Sequence, residues 1–515
     1  MRSGAVSGGG ASADRALLPR WPLTAMIVWF PLWWVLGIAE MAWIPLAACM
    51  LLLMIRRGGI RAPRGFGIWL LFLVLMLVSV IGIDTSGRLI GFVYRAMLYL
   101  VVTLVFVYVY NAREQLTRRY VLGVFTAFWI YTWLGGYAGV FFPEFSFKSP
   151  LAYVLPQSLL QNELIDEMAV RRTAQYNPDG WLELAPRPSA PFLYTNAWGN
   201  VYSITLPLAI AYLDEVRRGW RFWCVLIAVP VSLVPAILSL NRGMFIGLAV
   251  GGVYCFVRFV LAGRTREVLA LGALGVLGIG LAVGLDLFSR LSDRVEVSAS
   301  TTTRSMIYEE TWVRTLDSPL FGYGAPRPSF TSPPSVGTQG HVWMVMFSHG
   351  LPALLCFMLA LTWLVVATAR WRGPVVLVLH TVQLVTLVES AYYGLLPNGL
   401  IVSFAVAALA LRERDDEVDG GGDAAREEPS AVARLGGGAP RAAIEPRAAI
   451  EPRAAIEPRA AIEPRAAIEP RAAIEPRAAI EPRAAIEPRA ATEPRAAGGG
   501  YVVPADAERP SSNLR

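Results

Sequence analysis

Apolar residues are gathered into twelve runs long enough to cross a bilayer, at roughly 23–38, 41–55, 66–83, 89–110, 120–142, 193–213, 221–238, 243–262, 267–287, 350–369, 374–390 and 395–412. Only Glu40 marks the break between the first two. Most polar connections between runs are short, but two are long, at about 143–192 and 288–340. This pattern predicts an all-α fold: a polytopic membrane bundle of about twelve transmembrane helices. Residues 1–22 read as a flexible lead, 23–412 as the membrane domain and 413–515 as a disordered tail.

Charge orients the bundle. The alternate short loops 56–65, 111–119, 214–221, 258–266 and 370–373 are rich in arginine, whereas the short loops on the other side hold only Arg88 and Arg242. Arginine-rich loops are retained in the cytoplasm. Both termini are therefore expected inside, in a multi-pass protein of the cytoplasmic membrane. The long segments 143–192 and 288–340 are then outer loops. Connections of that length are uncommon unless they work or are disordered.

Composition agrees. Of 515 residues, 55% are hydrophobic and 17% charged, against about 25% charged in soluble domains. A soluble enzyme and a secreted disulfide scaffold are excluded. The net charge of +7 and pI of 9.3 do not imply a nucleic-acid partner, because the basic residues lie in membrane loops. The four cysteines lie within apolar runs and read as small core residues. Residues 441–488 repeat Arg-Ala-Ala-Ile-Glu-Pro eight times, and a variant copy ends at Pro494. A proline every six residues forbids a continuous helix. The repeat reads as a hydrated spacer, whether a product of repeat slippage or a docking strip for an unknown partner.

Several polar residues are candidates for chemistry. Arg242 sits in the tight turn Ser239-Leu240-Asn241-Arg242-Gly243, where it either grips a phosphate or reaches to lipid headgroups. Arg304 opens a stretch through Tyr308 to Trp312 with polar and aromatic residues four apart, which reads as a short surface helix. His341 lies at the outer end of a run and is either a structural residue or a proton acceptor near neutral pH. His349 follows two helical turns later. Arg95 lies inside a run, where a charge is costly, so it needs a partner: Asp84, Glu389 or a bound anion. Arg171, Arg172 and Arg187 in the first long loop are further candidates for substrate binding. No metal-ligand cluster or nucleotide-binding loop is present, so no metal and no cofactor are expected.

The order of these pieces resembles the O-antigen ligase family and the related polysaccharide polymerases. Asn196-Ala-Trp-Gly-Asn200 leads into Leu206-Pro207-Leu208. Ser239 to Gly243, Arg304 to Trp312 and Ser318-Pro319-Leu320-Phe321-Gly322-Tyr323-Gly324 follow, and then His341 ahead of Gly350-Leu351-Pro352. The resemblance implies a metal-independent glycosyltransferase. Its donor would be a polyprenyl-diphosphate-linked glycan and its acceptor a hydroxyl of a glycan or glycolipid, at the outer face of the cytoplasmic membrane. Arg242 then maps onto the diphosphate-holding arginine, with Arg304 as a second arginine, and His341 onto the histidine near the acceptor. Arg242 and His341 are the implied catalytic pair. A polymerase would use a second lipid-linked glycan as acceptor. A twelve-span secondary transporter is the rival class, although its usual long cytoplasmic link between spans six and seven is here only Asp214 to Trp220.

Overall fold

The computed structural model describes residues 17–160, 163–176, 186–297, 300–330, 334–369 and 373–426; the side chains of 163–164, 293–297, 300–304 and 416–426 are not described. The repeats at 441–494 and the Asn177-Pro178-Asp179-Gly180 stretch of the first long loop lie outside these residues, as does most of the expected lead.

The chain opens with α1 (Trp21–Ile27), α2 (Phe30–Leu36), α3 (Trp43–Arg57), α4 (Gly67–Val78), α5 (Ser86–Asn111) and α6 (Arg118–Phe141). A single 3₁₀ turn, Ser79–Gly82, continues α4. The first long connection holds β1 (Ser146–Lys148), α7 (Pro150–Val154), α8 (Gln157–Leu160), α9 (Glu163–Ala169), β2 (Val170–Arg172), β3 (Ala174–Gln175) and β4 (Arg187–Pro188). Next come α10 (Thr195–Val216), α11 (Trp220–Leu238), α12 (Arg242–Leu261) and α13 (Thr265–Gly284). The second long connection holds α14 (Leu287–Val297) and α15 (Ser300–Asp317). The last helices are α16 (His341–Thr368), α17 (Pro374–Glu389) and α18 (Asn398–Arg426).

Each of the twelve apolar runs lies on helix, and the described residues are mostly helical. Among the described residues six helices are long and apolar enough to cross a membrane: α5, α6, α11, α12, α13 and α16. Three local details refine this picture. The run 23–38 is two short helices, because Pro31 lacks the N–H that would bond back to Ile27 and the chain turns there. The fold is not purely helical, since β1 pairs antiparallel with β2, and β3 with β4. A long segment folded onto the bundle must pair its backbone groups, and short ladders do so. Finally, α18 runs on to Arg426, past the end of the apolar run at 412.

The core centres on α10, which packs against α6, α11, α12, α17 and α18. Among apolar lipid tails, helices associate through close packing and interhelical hydrogen bonds, each worth about 0.6–2 kcal/mol. Both are present here. Trp198 of α10 packs on Gly136 of α6, where a Cβ would lie 2.8 Å from its ring; its Nε1–H donates to Thr132 O at 2.7 Å, and Tyr202 Oη meets Ser232 Oγ at 2.8 Å.

The motif Ser318 to Gly324 exists to mend a break in α16. That helix is interrupted at Gly350 (φ 82°, ψ 173°), with Pro352 just beyond. Backbone groups freed at the kink are paired by the loop: Tyr323 N–H to Phe347 O (3.0 Å), Gly324 N–H to Ser348 O (2.6 Å) and Leu351 N–H to Pro319 O (2.8 Å). The chains approach so closely that a Cβ on Gly322 would lie 2.6 Å from the Ser348 carbonyl carbon. Arg327 adds an ion pair to Asp84 (3.1 Å) and lies over the Tyr323 ring (4.2 Å).

Candidate functional site

The segment between α17 and α18 is the frame on which the sequence motifs meet. Tyr393 donates to Asn241 Oδ1, Asn241 Nδ2–H donates to Thr195 O at 2.8 Å, and Tyr392 donates to Gly243 O at 3.2 Å. Burial, reinforced by the nearby Glu389, pushes the Tyr393 phenol far above its usual range, so it stays a donor. On the other side of the same segment, His341 N–H donates to Tyr393 O at 2.8 Å and Val342 N–H to Ser390 O at 3.0 Å. Small residues make this convergence possible. A Cβ on Gly199 would lie 2.2 Å from Asn241 Nδ2, and one on Gly243 would lie 2.7 Å from the Tyr393 ring.

Below the frame, Glu389 is fully buried and accepts from Asn200 Nδ2 at 2.6 Å. Sequence reading named Glu389 only as a possible partner for Arg95 and did not single out Tyr392 or Tyr393. The signal was available for one of them: Glu389 is the sole acidic residue between Asp317 and Glu413, and a charge inside an apolar run is a functional flag.

Arg242 is the first residue of α12 and is exposed, and no acidic partner meets it among the described residues. The turn that presents it is rigid: Leu240 is buried with φ 50°, a left-handed conformation that costs a non-glycine residue about 1–3 kcal/mol and persists only where its surroundings impose it. A helix start with unpaired N–H groups beside a guanidinium favours an anion. Arg187 reaches the same turn from β4, its Nε–H donating to Ser239 O at 3.0 Å. The β3–β4 ladder that carries it is docked by Gln175, which accepts from Thr195 N–H at 2.9 Å. Arg187 and Arg242 thus flank one turn, although 55–residue-scale separation in sequence gave no sign of it.

His341 opens α16. It is fully buried; its Nδ1 accepts from Leu395 N–H at 3.2 Å and its Nε2 lies 2.9 Å from Tyr99 Oη. A neutral ring whose Nδ1 accepts a backbone N–H carries its proton on Nε2. Both ring nitrogens are thus engaged within the protein. His349 is likewise buried, with Nδ1 2.7 Å from Ser79 Oγ.

The remaining candidates separate. Arg171 is 1% exposed and grips both oxygens of Glu40, at 2.8 and 3.3 Å, so it ties the first long connection to the α2–α3 link. Arg172 is exposed and lies 3.9 Å from Asp166. Arg95 is half-buried and donates to Gly91 O at 3.3 Å; Asp84 pairs instead with Arg88 and Arg327, and Glu389 with Asn200. Arg304 lies on α15, one turn before Tyr308, which stacks on Trp343 at 4.4 Å; the Arg304 side chain is among those not described. Among the described residues no group of three or more His, Cys, Asp or Glu side chains comes together to hold a metal.

The multiple apolar helices define a multi-pass membrane protein. Residues 222–342 match the family model described as O-antigen ligase, a segment that runs from α11 through the Arg242 turn and α15 to His341. The resemblance drawn from the ordered motifs is therefore borne out, and it supports a membrane glycosyltransferase of the O-antigen ligase and polymerase type. No curated protein matches the chain.

Proposed function

We propose that the protein transfers a glycan from a polyprenyl diphosphate to a sugar hydroxyl at the outer face of the cytoplasmic membrane. The observation that carries this reading is Arg242: exposed, without an acidic partner among the described residues, at the start of α12 on a turn braced by Tyr392, Tyr393 and Thr195. In the transfer, the acceptor oxygen bonds to the anomeric carbon as the bond to the diphosphate oxygen breaks. The electron pair leaves on the diphosphate, which takes up, directly or through water, the proton released by the acceptor hydroxyl. Charge that develops on a leaving group is best met by cations fixed in advance, which costs no reorganisation during the reaction. Arg242 grips the diphosphate, and Arg187 on the other flank of the turn assists it. Arginine performs this role without a divalent ion, so the reaction is metal-independent.

His341 acts in this scheme as a positioning residue that pins the start of α16 to the Tyr393–Leu395 segment. Residues 23–412 form the membrane domain with twelve crossings and both termini in the cytoplasm, which puts the Arg242 turn outside. Purified protein reconstituted with a lipid-linked glycan, in the presence of chelator, tests the reading. Released polyprenyl diphosphate with a single transferred chain is expected from a ligase, and a ladder of products from a polymerase. Absence of diphosphate release with any lipid-linked glycan overturns the proposal, as does accessibility labelling that finds position 242 facing the cytoplasm.

A further inference from the structure

At the far end of α11 from the Arg242 turn lies a crevice of about 500 Å³ between α6 and α11, closed by Val28 after α1 and by Tyr212 of α10. The nineteen residues of α11 set the two places about 28 Å apart. One face of α6 lines it through Tyr120, Gly123, Val124, Ala127 and Ile130, spaced three and four residues apart. Trp220, Arg221, Cys224 and Val225 line it from α11. From Arg119 to Ile130 the α6 wall runs about 16 Å, roughly half of a ~30 Å hydrocarbon core. The crevice therefore has the depth of a single leaflet.

Its charge is one-sided. Arg119 and Arg221 line it and are exposed, and Arg20 lies over the Tyr120 ring at 5.2 Å. No acidic residue lines it among the described residues. Three carboxylates of this end are engaged elsewhere: Glu215 and Glu413 meet Arg118 at 2.6 and 3.5 Å, and Asp214 meets Arg217 at 2.9 Å. Trp220 is 72% exposed beside these arginines, as expected of an aromatic residue at a membrane boundary. Apolar depth with uncompensated guanidiniums at one end matches a molecule with an acyl chain and an anionic head. We propose that this crevice is a binding site for an anionic glycerophospholipid, with the phosphate between Arg119 and Arg221 and one acyl chain along the α6 face.

The exposed thiol of Cys224 lines the crevice and reports its occupancy. With Cys49, Cys255 and Cys356 changed to serine, the full chain is placed in nanodiscs of phosphatidylcholine with or without phosphatidylglycerol. Alkylation of Cys224 by N-ethylmaleimide is then timed. Phosphatidylglycerol is expected to slow alkylation by about fivefold for each contributing arginine. The double variant Arg119→Gln/Arg221→Gln is expected to lose that protection while unfolding at the wild-type temperature in phosphatidylcholine. Ala127→Trp, which fills the crevice and retains both guanidiniums, is expected to lose the lipid dependence as well, and it decides the matter if the double variant does not fold. Equal rates in the two lipids overturn the proposal. So does equal protection by inorganic phosphate, protection that survives both sets of variants, or a Cys224–Cys224 cross-link between two copies that accounts for the protection.

Discussion

Arg242 and His341 hang from the same segment, Ser390 to Leu395, yet they are built in opposite ways. Arg242 is exposed at a helix start, its turn braced by Tyr392 and Tyr393, and has no acidic partner among the described residues. His341 is fully buried with both ring nitrogens engaged. A group that meets a ligand's charge must be held in place without being neutralised. A group that holds a fold together must have its hydrogen bonds satisfied within the protein. By this criterion the proposed transfer reaction assigns the chemistry to the arginine side of the site and the framing to the histidine side.

The comparison can be broken most sharply at Arg242. Arg242→Ala is expected to lower the release of polyprenyl diphosphate by about 100-fold or more and to leave the unfolding temperature unchanged. Arg242→Lys keeps the charge but not the fork of donors, and an intermediate rate is expected. Wild-type turnover in Arg242→Ala would remove the diphosphate grip from this turn.

At His341 the expected signature is reversed. His341→Ala leaves the Leu395 N–H buried without an acceptor, a loss of about 1–3 kcal/mol that a denaturation midpoint detects. Turnover falls with it. His341→Asn offers an amide oxygen in place of Nδ1 and is expected to recover both stability and most of the turnover. Recovery of stability alone would make the histidine a proton acceptor after all.

Arg187 sharpens the picture between these extremes. Its side chain both borders the Arg242 turn and holds Ser239 O. Arg187→Ala is expected to lower turnover about tenfold, the effect of one hydrogen bond to a charged group, with a small loss of stability.

The smallest effect lies in the second long connection. Burial alone would raise the Glu310 carboxyl, but hydrogen bonds from Ser329, the Phe330 N–H and Arg314 outweigh it and hold the group below its ordinary range. Its contribution to stability is therefore present above the unfolded value, about 4.3, and is lost as the pH falls through the lowered folded value. Hydrogen exchange of α15 should accelerate across that acidic interval. In Glu310→Gln the pH dependence should be weaker, and an unchanged profile would place it in another group.

What the sequence by itself determined was the set of helices and the order of the motifs. Long apolar runs leave the backbone no partner but itself, so helix follows from composition over each run, whatever packs beside it. The exceptions are local and equally legible after the fact, as at Pro31 and at the Gly350–Pro352 break. How each arginine is placed emerges only from the packing of the helices. Arg171 and Arg187 read alike as loop arginines; one closes on Glu40 inside the protein and the other reaches the Arg242 turn. The surroundings of His341 were equally out of reach, because Tyr99 and Leu395, which meet its two nitrogens, lie 242 and 54 residues away in sequence. A residue's chemistry depends on what is left unpaired around it, and pairing across hundreds of residues is settled only when the helices pack.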